Sequence, residues 1–403
     1  MSLFQNISEC SGYFRERPPL ALAGVGSDTR ECGEFHGGGV LGCVISADDS
    51  GVRRVLGVSP SNVAHIERAQ WWLTRRRRCP LHITVELSGT ESLSVIIALE
   101  KFSQKLSESE VEHTFGLTVK EAVSLLPFAV LLQRSEEIHL SDCVLTSLRA
   151  LGGLEWLRKV ELRRCSGAFN LGPLAACPNL ASVVVSFCSG VTSAEALGSL
   201  RNLRGVVLEG CRITTVDFLK HCVVLESVDV NSCKQLRSLD GLAGLRWLKA
   251  VDARDTNIAD ILALCGCVSL ETLDVSHCEK LTSLDGLTGL PKLEAVNATS
   301  SAVENIRGLT GCVALETVNV NYCERLTSLD GTTRLQRLKT VGARGTEISN
   351  IETLTGCMAL ESVDVRDCRR LVSLNGLFAL PKLETLKAGN TAGFGDAEDW
   401  TGF

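Results

Sequence analysis

Cysteine is the residue in this sequence that most invites a chemical interpretation. The 403-residue chain contains 18 cysteines, and one of them, Cys278, directly follows His277. Thiolates and imidazoles bind soft metals and act as nucleophiles and redox groups. The cysteines nevertheless follow a strict period. Six of them recur at steps of 45 residues: Cys143, Cys188, Cys233, Cys278, Cys323 and Cys368. A second set keeps the same step: Cys177, Cys222, Cys267, Cys312 and Cys357.

We interpret both cysteine sets as structural. Halfway between members of the first set, the equivalent position holds cysteine, threonine or serine: Cys165, Cys211, Thr256, Ser301, Thr346 and Thr391. A metal ligand would not tolerate these exchanges, whereas a small buried group does. If each half-period adds one strand, members of the first set lie about 10 Å apart, beyond disulfide and zinc distances. The second set aligns with leucine in the alternate half-period, as Cys312 does with Leu290, and should pack in the core.

Two smaller groups leave a metal site open as an alternative. One is the C-x-C pair Cys265 and Cys267, and the other lies near the amino terminus: Cys10, Cys32, His36 and Cys43. Neither group has the paired spacing of a zinc site, so we predict no metal and no other cofactor.

Signatures of catalysis are incomplete. The HGGG stretch over residues 36–39 is similar to an esterase oxyanion loop, but no G-x-S-x-G nucleophile elbow occurs in the chain. The few histidines are scattered among the repeats and suggest no acid–base pair. We therefore predict that the protein is not an enzyme.

The charge balance limits the classes of partner. The formal net charge is -6, so we expect no general attraction to nucleic acid, apart from a possible local role of Arg75–Arg78 as a nuclear address or phosphate patch. The amino terminus lacks the pattern of a secretory signal, and the apolar run over residues 124–132 is too short to span a membrane. We expect a cytoplasmic protein, with a nuclear location as the alternative and no membrane contact.

The 45-residue period consists of two similar halves of about 23 and 22 residues. The first halves contain LESVDVNSC, LETLDVSHC and LETVNVNYC, and the second halves contain LKAVDARDT, LEAVNATSS and LKTVGARGT. These lines resemble the leucine-rich repeat pattern LxxLxLxxN/CxL, which recurs about twelve times over roughly residues 136–395. The first halves are similar to cysteine-containing repeats. The second halves are similar to the short 22-residue units of internalins and phosphatase regulators, a mixture that protozoan leucine-rich repeat proteins share.

The alternation of apolar and polar residues in VDV and VNV independently predicts one short strand per half-period. After each strand of the first halves, an aspartate or asparagine stands just ahead of a short apolar segment, where its side chain is expected to cap a helical turn. These residues are Asp240, Asp285, Asp330 and Asn375. We therefore predict an α/β leucine-rich repeat solenoid, a curved horseshoe with a concave parallel β-sheet and short helical or 3-10 return segments.

Three regions are expected along the chain. Residues 1–78 are predicted to be irregular and partly disordered, and residues 79–135 to form an amino-terminal cap or irregular early repeats. Within this cap, residues 79–89 and 113–123 should be strands, with an amphipathic helix over 91–106 between them. Residues 136–403 should form the solenoid, about twelve units in 45-residue pairs.

The resemblance also indicates which side chains face outward from the concave sheet, namely positions 3, 5 and 7 of each repeat, with position 8 at its edge. Aspartates at position 5 of three successive repeats should lie close enough to repel one another, a cost that a basic partner could relieve. The predicted partner-binding residues are Asp229, Asn231, Asp252, Arg254, Asp274, His277, Asn319, Asn321, Tyr322, Arg344, Asp364 and Arg366.

These observations predict a monomeric, non-enzymatic protein–protein interaction scaffold that binds a partner, with a basic surface or segment, on its concave face. The alternative is a substrate-recognition or regulatory subunit of a ubiquitin ligase or phosphatase complex. In that case residues 1–135 would dock to the catalytic partner.

Overall fold

Short strands form wherever apolar and polar residues alternate. A computed structural model describes residues 41–48, 51–58, 66, 81–108, 113–375, 377–392 and 400–401 of the chain. These residues cluster into two compact units that meet in sequence at Val191 and Thr192. The sequence does not predict this division.

Within its described residues the first unit contains seven strands, of which the first two lie in the region predicted to be irregular. They are β1 (Leu41–Asp48), β2 (Gly51–Val58), β3 (Leu81–Ser88), β4 (His113–Lys120), β5 (Glu137–Ser141), β6 (Lys159–Arg163) and β7 (Ser182–Ser186). Strands β2 to β7 are parallel neighbours in chain order, and β1 pairs antiparallel with β2.

Helix α1 (Leu93–Ser107) follows β3, and helix α2 (Ala129–Gln133) follows β4. The two strands and the helix predicted between residues 79 and 123 are therefore confirmed. Ser92 begins α1, because its side chain accepts a hydrogen bond from the Val95 amide at 3.4 Å. The apolar run over residues 124–132 forms a 3-10 turn and α2, and its Phe128 is buried. Among the described residues, no helix is both long and apolar enough to cross a membrane.

The second unit contains the shorter strands that the VDV pattern predicts. Its strands are β8 (Gly205–Val207), β9 (Ser227–Asp229), β10 (Ala250–Asp252), β11 (Thr272–Asp274), β12 (Ala295–Asn297), β13 (Thr317–Asn319), β14 (Thr340–Gly342), β15 (Ser362–Asp364), β16 (Thr385–Lys387) and β17 (Trp400–Thr401). Strands β8 to β16 are parallel in chain order, and β17 pairs antiparallel with β16.

The core of the second unit is a stack of in-register apolar side chains. The central residues of neighbouring strands are cross-strand partners, as Val228, Val251 and Leu273 are, and each is at most 2% exposed. One repeat alone could not cover its own apolar edge, so stability comes from the neighbouring repeats.

Short 3-10 turns return the chain from one strand to the next. They are Leu126–Phe128, Arg149–Leu151, Gly172–Ala176, Glu195–Ser199, Asp217–His221, Asp240–Leu242, Leu262–Gly266, Asp285–Leu287, Arg307–Leu309, Asp330–Thr332, Glu352–Gly356 and Leu377–Ala379.

The prediction that Asx side chains cap these turns is wrong. Asp240 is the first residue of its turn, and its amide donates to the Ser238 hydroxyl at 2.9 Å. The same hydrogen bond, donated by the Asx amide to the hydroxyl of a preceding serine, recurs in the three later periods: Asp285 to Ser283, Asp330 to Ser328, and Asn375 to Ser373. At Asp240, Asp285 and Asp330 the turn begins one residue earlier than predicted, at the Asx residue itself, so the hydroxyl of the serine two residues before it is the group that reaches its amide.

The periodic cysteines are structural, as predicted. Cys278 donates its thiol to the Ala253 carbonyl at 3.3 Å, and the same carbonyl accepts from the Thr256 hydroxyl at 2.7 Å. The Thr256 oxygen lies 3.4 Å from the Cys278 sulfur, so thiols and hydroxyls alternate along the stack. Burial raises the pKa of Cys278, which keeps the thiol protonated and inert.

Candidate functional site

The candidate site lies on the face of the second unit's sheet that is opposite the core, called here the polar face. Asp229, Asp252 and Asp274 are the last residues of β9, β10 and β11, and we call them the acidic triad. They are direct cross-strand partners in the ladder. The predicted proximity of the three carboxylates is therefore confirmed by the register.

The two outer carboxylates of the triad are well supplied with hydrogen-bond donors. Asp229 Oδ1 accepts from the amide and side chain of Asn231, at 3.0 and 2.7 Å. Asp274 Oδ1 accepts from the amide and hydroxyl of Ser276, at 2.9 and 2.6 Å, and its Oδ2 accepts from Asn297 Nδ2 at 3.0 Å. Each outer aspartate is thus anchored by its own repeat, and Asp274 also by the next one.

The central carboxylate is less well satisfied. Asp252 Oδ1 accepts from the Arg254 amide at 3.2 Å. Its Oδ2 is buried and accepts no hydrogen bond among the described residues, although the Arg254 guanidinium lies 3.1 Å away as an ion pair. This one guanidinium is the cation that contacts the triad.

Burial and mutual repulsion make the triad reluctant to ionise. Burial raises the pKa of Asp252 to about 8, and the charges of Asp229 and Asp274 add to the rise. Burial also raises the pKa of Asp229, in spite of its hydrogen bonds from Asn231. The triad therefore holds at least one proton that ordinary carboxyl groups would have lost at neutral pH.

The acidic triad is buried, although its residues lie on the face of the sheet that is opposite the core. The three aspartates are only 4–6% exposed, and Asn231 is 4% exposed. The side chain two residues further along its own repeat contacts each carboxylate, but Asn231 and Ser276 are themselves buried. Arg254, with 29% of its side chain exposed, is the accessible one of the three.

A second group of predicted residues clusters around Tyr322, which is 44% exposed. The Arg344 guanidinium lies over the tyrosine ring, 5.4 Å from its centre, and its Nε donates to Asp367 Oδ2 at 2.7 Å. Asn321 Oδ1 accepts from the Arg344 amide at 2.7 Å, and Asn319 Oδ1 accepts from the Asn321 amide at 3.1 Å. Sequence reasoning missed Asp367 in this group.

The remaining predicted residues do not join either group. Arg366 donates to both oxygens of Asp364, at 2.9 and 2.6 Å, so this pair is satisfied within one repeat. His277 is exposed, and its left-handed backbone, with φ of 58°, turns the side chain away from the strand.

Metal chemistry finds no support in the described residues, where no group of three or more histidine, cysteine or acidic side chains could hold a metal ion. Cys265, of the C-x-C pair, is exposed, whereas Cys267 is buried. The HGGG stretch, Arg75–Arg78 and most of the amino-terminal cysteine set lie outside the described residues.

Comparison with known structures identifies the fold. The leucine-rich repeat domain of APL1 superposes with a TM-score of 0.53 and 16% sequence identity, over 77% of this chain and 80% of that domain. The chain has a leucine-rich repeat fold. An internalin (InlF) from Listeria monocytogenes str. 4b F2365 aligns at 14% identity and a TM-score of 0.47, over 71% of this chain and 87% of its own.

A leucine-rich repeat protein of Leptospira interrogans aligns at 14% identity and a TM-score of 0.40, over 81% of this chain and 98% of its own. No protein-family profile matches the sequence, and no curated protein matches it either. The comparisons therefore establish the fold, and any proposal about function must be based on the residues of the candidate site.

The leucine-rich repeat register also brings together a charged pair in the first unit that sequence reasoning left out of the site. His139 Nδ1 lies 3.0 Å from Glu161 Oε2, and Arg163 donates to the other oxygen of the same carboxylate. Burial opposes ionisation of Glu161, but these hydrogen bonds outweigh it and lower its pKa to about 2. Burial lowers the pKa of His139, but its hydrogen bonds to Glu137 and Glu161 outweigh burial, so the net pKa is raised. His139 and Glu161 both occupy position 5, in consecutive repeats, so alignment of the repeats could have revealed this pair.

Proposed function

We propose that the chain is a non-enzymatic interaction scaffold that holds a basic segment of a protein partner against the polar face at the acidic triad. The observation that carries the proposal is the in-register stack of Asp229, Asp252 and Asp274, three carboxylates of which Asp252 alone pairs with a guanidinium, that of Arg254. Repeat folds of this kind offer extended surfaces for partner binding.

Electrostatics makes the triad effective even though it is buried. A cation about 5 Å from a single carboxylate gains about 3 kcal/mol at an effective dielectric constant of 20. A partner ammonium or guanidinium group that approaches Asp252 would take the place that Arg254 now occupies, or would share it. The arriving charge favours the ionised form of the triad, so binding at neutral pH should release a proton.

Exposed neighbours supply the rest of the contact. His277 is exposed three residues after Asp274 in the same repeat, and Tyr322 presents an aromatic ring held by Arg344 two repeats further on. Tyrosine and arginine are common anchors in protein interfaces. The partner segment would then lie across the strands, with its basic residue at the triad.

A binding experiment with isosteric variants tests the proposal. Asp229→Asn, Asp252→Asn and Asp274→Asn are combined, because asparagine already occupies the equivalent positions at Asn297 and Asn319 and preserves the fold. A displayed library of random peptides is selected against the wild-type protein. We expect selected peptides to be rich in lysine and arginine, to lose about tenfold or more in affinity for the triple variant, and to bind with proton release at pH 7.

The matched control is Asp364→Asn, which changes the same position of a repeat whose carboxylate is already paired with Arg366. It should leave binding unchanged. Selected peptides without basic residues, or peptides that bind the triple variant as tightly as the wild type, would refute the role of the triad.

The role of a recognition subunit in a ligase or phosphatase complex stays a prediction. It depends on residues 1–135, and no contact in the described part of that region favours it. The monomeric state and the cytoplasmic or nuclear location stay predictions as well.

A further inference from the structure

The repeat of β10 contains an arginine whose ion pair is incomplete. Arg254 stands two residues after Asp252, at position 7 of the repeat that has Asp252 at position 5. Its guanidinium lies 3.1 Å from Asp252 Oδ2 but is not aligned for a hydrogen bond, so this buried oxygen accepts none from any described residue. A buried acceptor without a donor costs free energy, which a partner that supplied the donor would recover.

The repeat of β15 shows the same pair with its hydrogen bonds complete. Arg366 and Asp364 occupy the same two positions, and Arg366 donates to both oxygens of Asp364, at 2.9 and 2.6 Å. The side chains of Arg366 and Arg254 are similarly exposed, at 31% and 29%. The spacing and exposure of the arginine are therefore not what separates the two pairs.

The neighbouring strands do separate them. Asp252 has an aspartate on each side in the ladder, whereas Asp364 has a glycine and a lysine. Burial raises the pKa of Asp229 and of Asp252, and the charge of Arg254 opposes the rise at both. Arg254 is thus one cation that two buried carboxyl groups share.

Two oxygens of the triad are open to a further donor. Asn231 donates twice to Oδ1 of Asp229, and Asp229 Oδ2 makes no hydrogen bond with a described residue. Asp252 Oδ2 makes none either. The two aspartates are direct cross-strand partners, and neighbouring strands lie about 4.8 Å apart. One planar group with several donors could therefore reach both carboxylates.

We infer that an arginine of the partner segment, and not a lysine, displaces Arg254 and binds Asp229 and Asp252, an inference that rests on the proposed function. A guanidinium carries five N–H donors in one plane, whereas an ammonium carries three donors on a single nitrogen. A guanidinium is also more weakly hydrated than an ammonium, so it loses less on entry into a buried site. The accessible Arg254 side chain is the part of the site that has to move.

A metal ion is a poorer occupant of this site. In the part of the chain that the structure describes, no group of three or more histidine, cysteine or acidic side chains could hold one. Both oxygens of Asp274 already accept hydrogen bonds, from Ser276 and Asn297, so the third carboxylate is engaged. An organic cation with directed donors suits the two remaining oxygens better.

A comparison of two peptide libraries tests the inference on the wild-type protein. Both libraries are degenerate, and they differ only in one fixed central residue, which is arginine in the first and lysine in the second. We expect immobilised protein to bind the arginine library about tenfold more tightly. Equal binding of the two libraries, or tighter binding of the lysine library, would overturn the inference.

A truncated variant locates the binding without any peptide. Arg254→Ala leaves the triad without its cation, so millimolar ethylguanidinium should bind there and raise the melting temperature more than ethylammonium does. Arg366→Ala is the matched control. Its aspartate has Lys387 beside it in the ladder, so neither cation should stabilise it.

Three outcomes of this second experiment contradict the inference. They are equal stabilisation by the two cations, equal stabilisation of the two variants, and no stabilisation of an Arg254→Ala protein that circular dichroism shows to be folded. If Arg254→Ala does not fold, the library comparison on the wild-type protein decides.

The two experiments also separate this inference from the proposed function. If basic peptides lose affinity for the triple asparagine variant but the two libraries bind alike, the triad proposal stands and the arginine inference fails. If ethylguanidinium takes the place of Arg254 while no peptide depends on the triad, the preference for a guanidinium stands and the triad proposal fails.

Discussion

Replacement of Asp252 by asparagine should make the protein more stable, and by an amount that grows with pH. In the unfolded chain this carboxyl group ionises near its ordinary value of 3.8, whereas in the folded protein burial and the adjacent carboxylates raise its pKa to about 8. Between these two values the folded state binds more protons than the unfolded state, so stability falls as pH rises. Above a pH of about 8 the loss is complete.

The size of the effect follows from the linkage relation. Stability changes by about 1.4 kcal/mol per pH unit in this window, so at pH 7, about three units above 3.8, the wild-type protein has lost about 4 kcal/mol at this one position. Asparagine is neutral and avoids this loss. Its amide must still be buried, which costs about 1–3 kcal/mol if the amide is unsatisfied, and this cost does not depend on pH.

The neighbouring repeat shows how asparagine fits at this position. Asn297 donates from Nδ2 to Asp274 Oδ2 at 3.0 Å, and an asparagine at position 252 could donate to Asp229 in the same way. We therefore expect Asp252→Asn to be more stable than the wild type by about 1–3 kcal/mol at pH 7, and by less near pH 5.

The assay is urea unfolding of both proteins at several pH values from about 5 to about 8, with Asp364→Asn as the control. Asp364 is paired with Arg366, so its replacement should cost up to about 1 kcal/mol. A stability difference between Asp252→Asn and the wild type that stays constant with pH would refute the reasoning, as would a variant that is less stable near pH 8.

Three further predictions concern other parts of the chain. Glu161→Gln should destabilise the first unit by about 2–3 kcal/mol at neutral pH, because folding lowers the pKa of the Glu161 carboxyl group to about 2 and so favours its ionised form. Thermal melts should show the difference in stability between variant and wild type shrinking below about pH 4. Gly345→Ala should lower the melting temperature more than Gly289→Ala: both glycines have positive φ, but only at Gly345 would a Cβ lie 2.8 Å from a tyrosine ring. Among the described cysteines only Cys265 is exposed, so alkylation of the native protein followed by mass spectrometry should label it first.

Much of the fold could be predicted because the repeat is regular. A strict 45-residue step leaves little freedom in where strands fall, and the VDV pattern identifies the central core residue of each strand, such as Val228. Strands β1 and β2 could not be predicted, since the sequence there has no period to align. The turn caps were misassigned because serine and aspartate both cap well, and a shift of one residue decides between them.

For the candidate site, the sequence predicts which side chains share a face of the sheet but not how exposed they are. Alternation shows which face a side chain points to, and the repeat register places Asp229 next to Asp252. Exposure depends on the conformations of the covering side chains, such as Arg254, which a pattern does not specify.

The distribution of compensated charge indicates which repeats carry function. In the later repeats some charges are paired within the chain, as Arg366 is with Asp364 and Arg344 with Asp367. The repeats of β9, β10 and β11 differ, because their three stacked carboxylates have one cation in contact, Arg254, which pairs with Asp252. A partner that brings a further positive charge to this stack would complete the compensation.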